Sequence, residues 1–145
     1  MEDTSKRKSL IFLAFVLILA TGYYFFVSQG TPSLRFSAEK RTFSFHGSKG
    51  TAAYFSFDTL QTLDLYAGTA PAYGEPAGGG EVLGGYRYGT WKNSTLGEYE
   101  AFVSERFTSY IIASDGEKTA IFNTSNADTT ASLYEQLYAF WKQQP

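Results

Sequence analysis

The feature that most constrains this chain is an uncharged, largely apolar segment over residues 10–27, which closely follows the basic cluster Lys6-Arg7-Lys8. As a helix it would be roughly 27 Å long, close to the hydrocarbon thickness of a bilayer. Basic residues beside a membrane span stay on the cytoplasmic side. The sequence therefore predicts a single-pass membrane protein with a cytoplasmic tail (1–9), a transmembrane helix (10–27) and a C-terminal domain outside the cytoplasm.

A cleaved signal peptide is the competing interpretation of this segment, because Ala20-Thr21-Gly22 offers small residues for cleavage. Cleavage there would leave the apolar, aromatic residues 23–27 as a new N-terminus, whereas an uncleaved anchor would place them in the interfacial belt. A buried core helix is disfavoured because the segment has no polar stripe. We therefore expect an anchor, and the sequence leaves open whether it is ever cleaved.

The remainder reads as a short linker over residues 28–33 and one domain over residues 34–145. The chain has no cysteine, which excludes disulfides and thiolate chemistry. After residue 30, nine basic and twelve acidic side chains give a net charge of −3 (nine minus twelve). Because no basic run is present to neutralise phosphates, nucleic acid is not expected as a partner.

Alternating polar and apolar residues predict a β hairpin, in which residues 42–46 and 51–58 flank a glycine-bounded turn. Further strands are expected at 63–66, 99–103, 109–112 and 119–122, with a turn at Asp115-Gly116 between the last two. Residues 68–85 contain seven glycines and two prolines, which predicts a long loop rather than a strand.

The period changes near the C-terminus. An apolar stripe, Leu133, Leu137, Phe140 and Trp141, predicts an amphipathic helix over about residues 126–142, with Ser125 as the N-cap and Asp128 three residues later. Several short strands followed by one helix predict a mainly β fold, a small antiparallel sandwich or barrel that the C-terminal helix caps.

Three stretches, 85–91, 96–102 and 121–125, resemble the bacterial pleckstrin-homology-like domains, and residues 51–65 are similar more loosely. The resemblance implies a seven-stranded structure with one C-terminal helix over an open end. It implies function only weakly, because such scaffolds host unrelated roles.

Pleckstrin-homology domains are best known for binding phosphoinositides through basic residues around the first hairpin. This hairpin carries Lys40, Arg41 and Lys49 in an otherwise acidic domain. A phosphate site needs several converging cations, so no phosphoinositide binding is expected.

Residue patterns for catalysis are nearly absent. His46 is the single histidine and is expected to be a solvated residue at a strand end, so neither a hydrolase triad nor a histidine metal site is indicated. Glu98 and Glu100 share one strand face, which is expected to be the wet face of a sheet. The sequence therefore predicts a protein that is not an enzyme, with no catalytic residue, no metal site and no cofactor.

Candidate binding residues surround the glycine-rich segment: Tyr73, Tyr86, Arg87, Tyr88 and Trp91. Exposed Tyr, Trp and Arg favour recognition surfaces. The alternative is that Tyr86, Tyr88 and Trp91 pack in the core.

Two functions remain open at this point. One is a membrane-anchored module that binds another protein at the cell envelope, and the other is a module that binds cell-wall polysaccharide with exposed aromatics. A groove at a free strand edge would favour a peptide, whereas a planar strip of exposed aromatics would favour a glycan.

Overall fold

The computed structural model describes residues 6–13, 31–66, 73–106 and 109–143. Residues 6–13 form a helical segment, α1. The strands are β1 (Ser33–Ser37), β2 (Thr42–His46), β3 (Ala52–Ser56), β4 (Thr62–Tyr66), β5 (Glu75–Leu83), β6 (Tyr86–Asn93), β7 (Gly97–Ser104), β8 (Tyr110–Ser114) and β9 (Thr119–Phe122). A short 3-10 helix covers Ser48–Gly50, and α2 covers Ala127–Lys142.

The strands form two sheets, one of three strands in the order β1-β2-β3 and one of six in the order β4-β8-β9-β7-β6-β5. The mainly β architecture with one C-terminal helix is as predicted. The prediction of a wholly antiparallel structure is wrong, because β7 and β9 pair in parallel. β9 lies between β8 and β7, and it runs antiparallel to β8 and parallel to β7. The described residues contain nine strands, two more than the resemblance implies.

The predicted N-terminal hairpin is confirmed as β2 and β3, in which Phe43 lies opposite Phe55. Ala53, Phe55 and Phe57 are buried on one face, as the alternation predicts. They belong to the main core between the two sheets, which also contains Phe45, Leu63, Phe102, Ile111, Phe122 and Leu137.

Helix α2 closes this core with its predicted apolar stripe. Leu137 is buried, and Leu133, Phe140 and Trp141 pack against the core while partly exposed. The N-cap is Asn126 rather than the predicted Ser125. Its side-chain oxygen accepts hydrogen bonds from the backbone N–H groups of Asp128 and Thr129, at 2.8 and 3.1 Å.

The prediction of a loop over residues 68–85 is wrong for its described part, because β5 pairs with β6 across a bulge around Gly78 and Gly79. Here the glycines allow two backbones to approach closely. A Cβ atom on Gly89, which has a φ of +84°, would lie 2.0 Å from the carbonyl oxygen of Gly79. Residues 67–72 lie outside the described residues.

The predicted transmembrane helix over residues 10–27 is corrected as well. Of this span only residues 10–13 are described, within the helical segment α1. Residues 14–30 lie outside the described residues. Across the described part of the chain, no helix combines the length and the apolar character that a bilayer crossing requires. The predicted single-pass architecture is wrong on this finding, and so are the membrane anchorage and the extracytoplasmic localisation that depend on it.

Candidate functional site

Three of the predicted binding residues, Tyr73, Arg87 and Trp91, lie at a second apolar cluster, on the face of the six-stranded sheet that points away from the main core. Because side chains alternate between the faces of a strand, Ala101 and Val103 point here while Phe102 points into the main core. The second cluster consists of Trp91, Tyr99, Ala101, Val103, Tyr110, Ile112 and Ile121, with Tyr73 and Leu96 packed against it.

Tyr88 and Trp91 belong to the interior and do not offer an exposed aromatic surface. Their relative exposures are 3% and 5%. The Trp91 indole donates a hydrogen bond to the Tyr88 carbonyl at 3.0 Å, and the Tyr88 hydroxyl donates to the Glu81 carboxylate at 2.6 Å. Tyr86, at the start of β6, is half-buried.

Arg87 is held between two aromatic rings. Its guanidinium carbon lies 3.8 Å from the ring centre of Tyr73 and 4.1 Å from that of Trp91. One terminal nitrogen donates to the Glu105 carboxylate, and the Arg87 side chain is 14% exposed. The stacking and the ion pair engage the guanidinium plane and one terminal nitrogen, whereas the buried Nε has no hydrogen-bond partner among the described residues. Arg87, on β6, therefore contacts Tyr73, which precedes β5, and Glu105, which follows β7.

Tyr73 is fixed from two sides, since its ring covers Arg87 and its carbonyl accepts a hydrogen bond from the Tyr99 hydroxyl at 2.6 Å. Burial raises the pKa of Tyr73 and of Tyr99 to about 12 in each case, although the nearby Arg87 charge acts in the opposite direction. Both phenols thus stay neutral well above physiological pH. The structure brings Tyr73, Arg87 and Trp91 together as an internal clamp.

A serine and the single histidine of the chain lie in contact on β2. The Ser44 hydroxyl lies 2.7 Å from His46 Nε2, and burial together with the Arg35 charge lowers the pKa of His46. The described residues contribute no acidic group to complete a triad. They also contain no group of three or more metal-ligating side chains.

The sequence analysis missed a groove between β1 and α2. It has a volume of about 410 Å³ and is lined by Leu34, Phe36, Leu133, Gln136, Leu137, Ala139, Phe140 and Gln143. Phe36 is 47% exposed. Its ring packs edge-on against Phe140, with 5.0 Å between the ring centres. The alternation of Leu34 and Phe36 with polar neighbours is a strand signal that could have revealed this wall.

The groove runs beside a free strand edge. β1 is the first strand of the three-stranded sheet and pairs only with β2 among the described strands. Arg41 lies beside the groove residue Phe140, 5.2 Å from its ring centre, and pairs with Asp58 at 3.0 Å. Leu34 and Phe36 point toward the groove, whereas Arg35 is exposed between them on the strand.

No family model, curated protein or solved structure matches the chain. The resemblance to pleckstrin-homology-like domains therefore stays a prediction.

Proposed function

We propose that this protein is a non-catalytic protein-interaction module that binds an extended segment of another protein along β1. One observation carries the proposal: an apolar groove of about 410 Å³ follows the free edge of β1, with α2 as its opposite wall. A free strand edge provides unpaired backbone donors and acceptors, and an adjacent apolar groove provides pockets for alternate side chains.

The lining of the groove predicts which side chains it accepts. Leu34, Phe36 and Phe140 supply apolar surface, while Gln136 and Gln143 supply uncharged amides. None of the lining side chains carries a charge. An added strand would therefore place apolar side chains in the groove at every second position.

The opposite face of β1 adds a charge preference. Arg35 is exposed and, within the part of the chain that the structure describes, makes no ion pair. An acidic residue on the added strand, beside Arg35, would complement this charge. The preferred partner segment is thus apolar at alternate positions, with an Asp or Glu between them.

A second copy of the same strand fits less well. In the two-fold antiparallel register that pairs all five residues of β1 (Ser33–Ser37) with a second copy, Arg35 would lie opposite Arg35. Like charges directly opposite each other destabilise a strand pair.

The glycan-binding alternative has weaker support. Tyr134, Tyr138 and Trp141 follow one another along α2, but successive rings are inclined by 34° and 80°. These rings do not form the planar strip that stacking on sugars requires.

The proposal is tested with a labelled nine-residue probe peptide of alternating Val and Thr with a central Glu, measured by fluorescence anisotropy on the full chain. Phe36→Asp should abolish saturable binding. Tyr66→Asp is the matched control, because Tyr66 is 45% exposed against 47% for Phe36 but lies on β4. Arg35→Glu should shift the preference from the Glu probe to a Lys probe.

Amide hydrogen exchange then separates strand addition from other binding modes. Bound peptide should slow exchange at alternate residues of β1, those whose N–H groups point to the free edge. Saturable peptide binding that leaves β1 exchange unchanged would refute strand addition. Binding of cellohexaose or chitohexaose that is lost in Tyr138→Ala, without peptide binding, would favour the glycan alternative.

A further inference from the structure

A separate cavity lies where the β5–β6 ladder bulges beside the start of β3. Its volume is about 200 Å³, and it is lined by Thr51, Ala52, Gly78, Gly79, Gly89, Thr90, Glu100 and Phe102. The glycines keep side chains out of this space, since a Cβ atom on Gly78 or Gly79 would meet no atom within 4 Å.

Glu100 is the acidic wall of this cavity. It lies opposite Thr90 on β6 and opposite Ala120 on β9, and it is half-buried. Burial raises the pKa of Glu100, although the Lys118 charge acts in the opposite direction. Within the described residues, the Glu100 carboxylate has no hydrogen bond and no ion pair closer than 4.0 Å.

Lys118, the described basic side chain whose charge acts on Glu100, is engaged elsewhere. The Lys118 ammonium lies 3.7 Å from the Asp115 carboxylate and 5.2 Å from the ring centre of Phe55. Glu100 therefore carries a partly desolvated charge that a cationic ligand would stabilise.

The other walls match an ammonium group. The lining residues include three glycines and Thr90. Backbone carbonyl and hydroxyl oxygens are hydrogen-bond acceptors, and an ammonium group offers three donors. A divalent metal fits poorly, because the described residues provide no group of three ligating side chains. At about 200 Å³ the cavity is also below the size of sites for drug-like ligands.

We infer that this cavity binds a primary ammonium group on a short alkyl chain, as carried by a lysine side chain or a free alkylamine. The inference is independent of the peptide groove, since none of the residues that line the groove lines this cavity.

The test is a titration of the full chain with n-butylammonium, followed by NMR. Saturable shifts are expected at the amides of Gly78, Gly79 and Thr90, and the pKa of Glu100, followed through its carboxyl carbon, should fall on binding. Glu100→Gln should weaken binding by at least about tenfold, because it removes the charge and keeps the shape. Glu98→Gln is the matched control, since Glu98 lies on the same face of β7 but is exposed.

Neutral n-butanol separates charge recognition from simple apolar filling. Equal shifts with butanol, equal affinity in Glu100→Gln, or no saturable shift with any amine would overturn the inference. A blocked lysine, N-acetyl-lysine methylamide, distinguishes the two sources. If it binds more tightly than n-butylammonium, the ligand is a protein lysine; if only n-butylammonium binds, the ligand is a free amine.

Discussion

The clamp around Arg87 and the groove beside β1 differ in solvent exposure, and the difference is the opposite of what their residue types suggest. The clamp contains Arg, Tyr and Trp, the residues most enriched at protein interfaces, yet Arg87 is 14% exposed and Trp91 is 5% exposed. The groove contains ordinary core residues, yet Phe36 is 47% exposed. Exposed apolar area, rather than residue type, therefore distinguishes the proposed binding surface from the clamp.

The cause is the position of each region in the sheets. β6 is covered on both edges, by β5 and β7, and the side chains of the clamp find partners on neighbouring strands. β1 has a neighbour on one edge only, so its apolar side chains have α2 on the far side of an open groove. Residues of types enriched at interfaces are therefore buried on β6, which has a neighbour on both edges. Apolar residues on β1, which has a neighbour on one edge, stay partly exposed.

The largest expected effect tests whether the clamp is structural. Trp91→Ala should lower the free energy of unfolding by about 3–5 kcal/mol, because it empties a buried indole site and leaves the Tyr88 carbonyl without its donor. Denaturant unfolding of the full chain measures the change. Tyr138→Ala is the control, because Tyr138 is 39% exposed and its loss should cost no more than about 1 kcal/mol. Equal losses in the two variants would contradict the comparison.

Alkaline pH should destabilise the protein through the tyrosines of the clamp region. The native pKa values of Tyr73 and Tyr99 are about 12, above the value of about 10 expected in the unfolded chain. Between these values the unfolded state loses protons that the native state keeps. Stability should therefore be complete below about pH 10 and fall as the pH rises toward 12.

Urea unfolding at a series of pH values measures this slope. Tyr99→Phe removes one of the two tyrosines whose pKa is raised to about 12 and should make the slope shallower, even though it also removes the hydrogen bond to the Tyr73 carbonyl. An identical slope in this variant would show that other groups cause the alkaline loss.

Arg87→Met should cost about 1–3 kcal/mol, because it removes two ring contacts and leaves Glu105 without its partner. Arg87→Lys should recover only part of the loss, since a lysine cannot provide a planar group between two rings. Peptide binding at the β1 groove should remain unchanged in both variants. If peptide binding were lost while the free energy of unfolding stayed unchanged, Arg87 would be a recognition residue rather than a structural one.

Much of the fold was predictable because its signals are local. The alternation in β2 and β3 and the stripe on α2 both follow from the period of one element. β5 was not predictable in this way, since glycine and proline normally break strands. The approach of Gly79 to Gly89 depends on a partner strand that local patterning does not reveal.

The candidate site also depends on contacts between distant segments, which local sequence patterns do not reveal. The sequence grouped Tyr73, Tyr86, Arg87, Tyr88 and Trp91 as candidate binding residues, and the structure brings Tyr73, Arg87 and Trp91 together. Arg87 also pairs with Glu105, and the Tyr73 carbonyl accepts a hydrogen bond from Tyr99; the grouping included neither Glu105 nor Tyr99. The groove combines β1 and α2 from opposite ends of the domain, so neither element alone predicts it.

The smallest expected effect concerns the helix that forms the groove wall. Asn126→Ala should destabilise the protein by about 1 kcal/mol, because its side chain accepts hydrogen bonds from two N–H groups of the first turn of α2. Ser125→Ala should change stability by less than about 0.5 kcal/mol, since Ser125 is exposed and precedes the cap. Thermal unfolding of both variants, followed by circular dichroism, measures the difference. A larger loss in Ser125→Ala than in Asn126→Ala would place the start of α2 one residue earlier, which would also change how its first turn meets the groove.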